Sequence, residues 1–107
     1  MSDKLEQIAA AQVNVVSGSP GSIEFRSNFG FETASRGSPG SYELVLEHKH
    51  DADKLVINVT RDNTDSGQIA ATPLGSGDVR NIQITSFDSD DVLADTSFFI
   101  LISRVRS

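Results

Sequence analysis

The sequence predicts an all-β protein: an antiparallel β-sandwich or jelly roll of about seven to eight strands, preceded by one short N-terminal helix. Three observations carry this. Apolar and polar residues alternate in several short stretches, clearest at Tyr42-Glu43-Leu44-Val45-Leu46-Glu47. Clusters of Gly, Pro, Asp, Asn and Ser punctuate the chain about every 8–12 residues, the spacing of strands joined by turns. Beyond the first twelve residues no helical periodicity returns, so no parallel crossover unit can be built. Residues 1–12 are therefore read as the helix and 13–107 as a single sandwich domain.

Taken in order, Asp3 and Glu6 resemble a capping box, and Leu5, Ile8, Gln12 and Val15 follow a 3-4-3 spacing. The good helix formers run only from Lys4 to Gln12, and a helix that short is marginal alone, so it needs a partner surface or a symmetry axis. Val13–Val16 reads as a short strand ended by Ser17-Gly18-Ser19-Pro20-Gly21. Ile23, Phe25 and Ser27 share one face of the next strand, and Gly30 between two phenylalanines marks a bulge or corner. Phe31–Arg36 continues extended to the turn Gly37-Ser38-Pro39-Gly40. Tyr42, Leu44 and Leu46 form an inward face, followed by a polar connector, His48–Lys54. Leu55, Ile57 and Val59 share a face, 62–67 is a turn by composition, and Gln68–Thr72 is a strand ending at Pro73. Val79–Phe87 carries Ile82 and Ile84, the charged loop 88–91 follows, Val92–Ala94 forms a brief bridge, and Thr96–Val105 closes the domain. The expected core is Ile23, Phe25, Tyr42, Leu44, Leu46, Leu55, Ile57, Val59, Ile82, Ile84 and Phe98.

Within the last strand, Phe98-Phe99-Ile100-Leu101-Ile102 has no polar face in either register. If Phe98, Ile100 and Ile102 face the core, Phe99 and Leu101 face away and need a cover. Another layer of the same chain is one candidate cover; with 37% hydrophobic residues and no Trp or Cys the composition is lean, which favours a neighbouring subunit instead. The expected interface is Leu5, Ile8, Phe99, Leu101 and Val105, gathered near one axis.

Fifteen acids against nine bases give a net charge of −6, which argues against a nucleic-acid partner because phosphate binding needs clustered Lys and Arg. No cysteine excludes a disulfide framework and thiolate chemistry. The N-terminus lacks the basic and apolar regions of a signal peptide, and no apolar run nears the ~20 residues of a membrane span. A cytoplasmic or virion-associated location without membrane insertion is expected.

His48-Lys49-His50 places two imidazoles at i and i+2, able to share a metal only if a symmetry axis supplied further ligands. Asp88, Asp90, Asp91 and Asp95 form an acidic cluster, but counting from Asp88 a calcium loop would need Gly and Glu where Leu93 and Phe99 stand. The serines sit in turn clusters without a recognisable nucleophile motif, and no glycine loop follows a phosphate-binding pattern. Asn58-Val59-Thr60 matches a glycosylation sequon but is read as strand sequence. No catalytic, cofactor or metal residue is assigned, and no enzyme is expected.

Three phrases carry a resemblance: Asn28-Phe29-Gly30-Phe31, then Arg36-Gly37-Ser38-Pro39-Gly40-Ser41-Tyr42-Glu43-Leu44, then Phe87-Asp88-Ser89-Asp90 with Asp95-Thr96-Ser97-Phe98-Phe99. From about Ala11 onward the chain resembles a small β domain that recurs in phage tail-fibre and other virion-associated proteins and in uncharacterised bacterial proteins. It departs from that pattern at Asp91, where Gly is usual, and in lacking a final Cys. The resemblance implies a non-enzymatic structural or assembly module, multimeric and with a trimer favoured, partnered by itself and by other virion or fibre proteins. The alternative it leaves is a module that binds a surface carbohydrate or receptor.

Overall fold

The computed structural model describes residues 4–18, 21–62 and 67–106. Among the described residues eight strands lie in two four-stranded antiparallel sheets. In chain order they are β1 (Lys4–Val16), β2 (Ser22–Phe29), β3 (Phe31–Ser38) and β4 (Ser41–Asp51), then β5 (Leu55–Arg61), β6 (Gln68–Pro73), β7 (Asp78–Phe87) and β8 (Phe98–Arg106). One turn of 3₁₀ helix, Ala52–Lys54, joins β4 to β5. Sheet A has the order β2-β1-β8-β5 and sheet B the order β3-β4-β7-β6.

The alternating stretches place the core where they should. Tyr42, Leu44, Leu46, Ile82, Ile84 and Phe98 are fully buried, while Ile23, Phe25, Leu55, Ile57 and Val59 pack partly buried against them. Tyr42 and Phe98 stack across the sheets with ring centroids 5.6 Å apart. Ala9, Ala11, Val13, Phe31, Val79, Ile100 and Ile102 complete the core. Burying these apolar faces between two layers supplies the main driving force for the sandwich.

Among the described residues the expected N-terminal helix is not present, and the division at residue 12 falls inside a strand: Lys4–Gln12 belongs to β1, the longest strand described. Met1–Asp3 lie outside the described residues. The alanines favour a helix locally, but propensity is a weak preference that tertiary pairing overrides. β1 supplies β8 with one of its two neighbours, and the small side chains meet a steric need. Gly30 turns the chain from sheet A to sheet B with φ 87, and a Cβ there would collide with the Ile8 carbonyl oxygen and lie 2.9 Å from the Ala9 Cα. Ala9 is fully buried beneath this corner. The Asn28 side chain closes the corner, accepting from the Phe31 N–H (3.1 Å) and donating to the Phe31 carbonyl (2.8 Å).

Two smaller expectations also shift. Pairing runs Gln12↔Ser27 and then Val13↔Phe25, which leaves Arg26 as an extra residue in a bulge. Ser27 therefore faces opposite to Ile23 and Phe25, not with them. The stretch 48–51, expected in a connector, continues β4, with His50 opposite Val79 and Asp51 opposite Asp78. The bridge expected at Val92–Ala94 forms between Leu93 and Phe87.

Candidate functional site

Three places bring chemistry or exposed apolar surface together. The first is a buried polar cluster where β4 begins. Asp95, with its side chain 4% exposed, accepts from both Nε (3.1 Å) and Nη2 (2.7 Å) of Arg36. Its carboxylate also accepts from the Gly40 N–H (2.9 Å), the Tyr42 hydroxyl (2.8 Å) and the Ser17 hydroxyl (3.1 Å). The Tyr42 oxygen in turn accepts from the Thr96 N–H at 3.1 Å. The Arg36 hydrogen bond holds the Asp95 carboxyl far below the usual carboxylate range; burial opposes this, and the Gly40, Tyr42 and Ser17 donors reinforce it. Burial, and then the bond to Asp95, push the Tyr42 hydroxyl well above its ordinary value. The carboxylate's lone pairs are used within the chain. This cluster ties the β3–β4 turn and the chain after β1 to the loop before β8. Its chemistry is structural.

That result disperses the acidic cluster of the sequence. Asp95 is buried in the ion pair, whereas Asp88 turns its side chain to the backbone and accepts from the N–H groups of Asp90 (2.8 Å) and Val92 (3.1 Å). Asp91 has φ 62, a left-handed conformation that glycine adopts most readily and Asp tolerates.

The second place is an open cleft of about 340 Å³ at the far end of β4, lined by Lys49, His50, Asp51, Lys54, Asp78 and Arg104. His50 Nδ1 is buried without a hydrogen-bond partner among the described residues. Burial lowers the His50 pKa, helped by the charges of Arg104 and His48 and opposed by Glu6 and Asp78. Arg104 pairs with Glu6 at 2.8 Å, and His48 is exposed. Among the described residues no three His, Asp or Glu side chains converge as metal donors.

The third place is the outer face of sheet A. Phe98, Ile100 and Ile102 point into the core, so Phe99 and Leu101 point out, 41% and 38% exposed. Cross-strand pairing builds rows on this face: Phe29, Ala10, Leu101 and Asn58 in one, and Ser27, Gln12, Phe99 and Thr60 in the next. Beyond them lie Gln7, Ser103 and Val56, then Leu5 opposite Val105. No outward residue in these rows carries a charge, in a chain where 22% of residues do. Five of the nine large apolar side chains exposed among the described residues gather here: Leu5, Phe29, Val56, Phe99 and Leu101. A shallow groove of about 430 Å³ runs between Phe29 and Phe99, with Ala10, Gln12 and Ser27 along it.

The chain matches no known family model, no curated protein and no solved structure.

Of the residues expected at an interface, the outer face brings together Leu5, Phe99, Leu101 and Val105. Ile8 does not join them. It is the extra residue between the pairs Gln7↔Ser103 and Ala9↔Ile102, and it packs partly buried against the core. Phe29 and Val56 were missed. Their signal was available only through register: Phe29 lies opposite Ala10, and Val56 opposite Ser103, across strands far apart in sequence.

Proposed function

We propose that this chain is a non-enzymatic structural module that assembles with copies of itself through the outer face of sheet A. The observation that carries it is the run of uncharged rows centred on Phe99 and Leu101, with Phe29, Val56, Leu5 and Val105 around them. Charged residues are depleted at the centres of protein interfaces, and two copies of a chain carrying −6 approach most easily through rows that hold no charge. The resemblance to tail-fibre domains supports the same reading, with other virion or fibre proteins as further partners, and favours a trimer. No helix contributes to an axis here, because Leu5 and Ile8 lie on a strand with their side chains on different faces.

The test is light scattering on the purified chain at micromolar concentration. A mass near 11.5 kDa rejects self-assembly. A larger mass that falls when Leu101 becomes Asp supports the face, since the charge would have to be buried without a partner.

A second reading has its own observation. The groove between Phe29 and Phe99 offers two aromatic side chains with a Gln and a Ser beside them, a surface suited to stacking on a sugar ring. A glycan array distinguishes the two: an assembly module gives no specific signal, whereas a binding module loses its signal in Phe99→Ala.

A further inference from the structure

Both sheets end in strands with one unpaired hydrogen-bonding edge, and three of these four edges carry features that discourage another strand from adding. β2 presents Glu24 and Arg26, with a bulge at Arg26. β3 contains Glu32, Arg36 and Gly37, and its pairing is broken near both ends. β6 has six residues and stops at Pro73. β5 has no bulge, glycine or proline, and its single charge, Arg61, stands at its last position. Leu55-Val56-Ile57-Asn58-Val59-Thr60 holds no charge, proline or glycine, and its register with β8 is unbroken from Leu55 to Arg61.

The residues flanking β5 name the occupant. Lys54 and Asp62 are both exposed and lie four positions either side of Asn58. If two β5 strands pair antiparallel about a twofold axis at Asn58, Asn58 meets its own copy, Val56 meets Thr60 and Ile57 meets Val59. In that register Lys54, the last residue of the 3₁₀ turn, and Asp62, the residue after β5, flank the two ends of the paired strands, so the symmetry brings Lys54 of each copy towards Asp62 of the other twice. We infer that the free edge of β5 joins a second copy of this chain in this register, making one sheet of eight strands with the order β2-β1-β8-β5-β5-β8-β1-β2. Strand addition supplies main-chain hydrogen bonds to a strand that pairs on one side only, with β8, among the described residues. The join also makes the apolar outer faces continuous, because Asn58 and Thr60 are the direct neighbours of Leu101 and Phe99.

This edge is separate from the face in the proposed function, and each can fail without the other. Solution mass by light scattering is compared for the wild type, Leu101→Asp, and Leu101→Asp combined with Lys54→Glu, with Asp62→Lys, or with both. Circular dichroism confirms that each variant is folded, and Leu101→Ser replaces Leu101→Asp if that variant is not. The expected wild-type mass is an even multiple of 11.5 kDa. Leu101→Asp alone should retain a mass near two copies. Either added charge reversal should weaken that pair by about tenfold or more and bring the mass to one copy, because it brings like charges towards each other twice. The double reversal should restore two copies. A wild type of one or three copies, a monomeric Leu101→Asp, reversals that change nothing, or a double reversal that fails to recover each overturns the β5 pairing. The monomeric Leu101→Asp outcome leaves the face intact as the assembly surface.

Discussion

Replacing Asp95 by Asn tests whether the buried cluster holds the β3–β4 turn to the loop before β8. The change preserves size and removes only charge and acceptor capacity. The carboxylate receives two hydrogen bonds from Arg36 and one each from Gly40, Tyr42 and Ser17. The amide can offer one oxygen, and its NH₂ must point at groups that are themselves donors. Arg36 would stay largely buried without its counter-charge. Removing one partner of a buried ion pair costs about 3–5 kcal/mol, against a net stability of about 5–15 kcal/mol for a typical domain. Tyr42→Phe sets the scale. It removes one donor to Asp95 and strands the Thr96 N–H, which should cost about 1–3 kcal/mol. Urea unfolding at pH 7, with both variants compared at unchanged slope, checks the order. A loss below about 1 kcal/mol for Asp95→Asn would refute a structural role for the cluster. The pH dependence follows in sign. The folded Asp95 pKa lies below its unfolded value of about 3.9, so its stabilisation is complete above that pH and disappears as the pH falls further. The wild type should lose this contribution in acid, and Asp95→Asn should lack that part of the loss.

Other outcomes follow from single positions. Gly30→Ala should cost more than about 2 kcal/mol in the same urea experiment, since φ 87 is strained for alanine and its Cβ would strike the Ile8 carbonyl oxygen. Ser86→Ala should be neutral or stabilising by up to about 1 kcal/mol, because the fully buried Ser86 hydroxyl has no partner among the described residues. Leu44→Ala should cost about 2–5 kcal/mol, as its side chain is fully buried between the sheets. His50 has a folded pKa below its ordinary value of 6.5, so stability should fall as the pH drops below about 6.5, and His50→Gln should shrink that fall in thermal midpoint.

What was legible in the sequence was local. Period-two alternation found the inward faces of β4, β5 and β7, because each repeats its pattern without interruption over the residues that matter. Bulges defeated the same reasoning elsewhere. A single extra residue at Arg26 reverses the face of Ser27, and nothing in the sequence around it distinguishes a bulged strand from a regular one. The Asp95 cluster was hidden for another reason. Its members lie up to 78 residues apart, and Asp95 stood among three neighbouring aspartates with the same apparent chemistry. The turn and strand phrases that carry the family resemblance do contain Arg36, Gly40, Tyr42, Asp95 and Thr96. They were readable as a pattern, but not as one network.

The N-terminal stretch shows how a local preference loses. Leu5, Ile8, Gln12 and Val15 satisfy a helical spacing, and an alanine run supports it. As a helix, however, the segment would leave β8 without one of its two neighbours, and β8 is the strand with the most apolar surface to place. The strand form brings β8 that neighbour, places Ala9 fully buried beneath the Gly30 corner, where a Cβ on Gly30 would crowd it, and carries Leu5 to the outer face. Those gains come from contacts distant in sequence, which propensity does not register. The same pairing explains why five apolar residues in a row are tolerable in β8. One face closes the sandwich core, and the other is narrowed by Ala10, Gln12, Asn58 and Thr60 on the flanking strands without being closed. What stays open is a set of uncharged rows beside the edge strand β5, the two surfaces on which the proposed self-assembly rests.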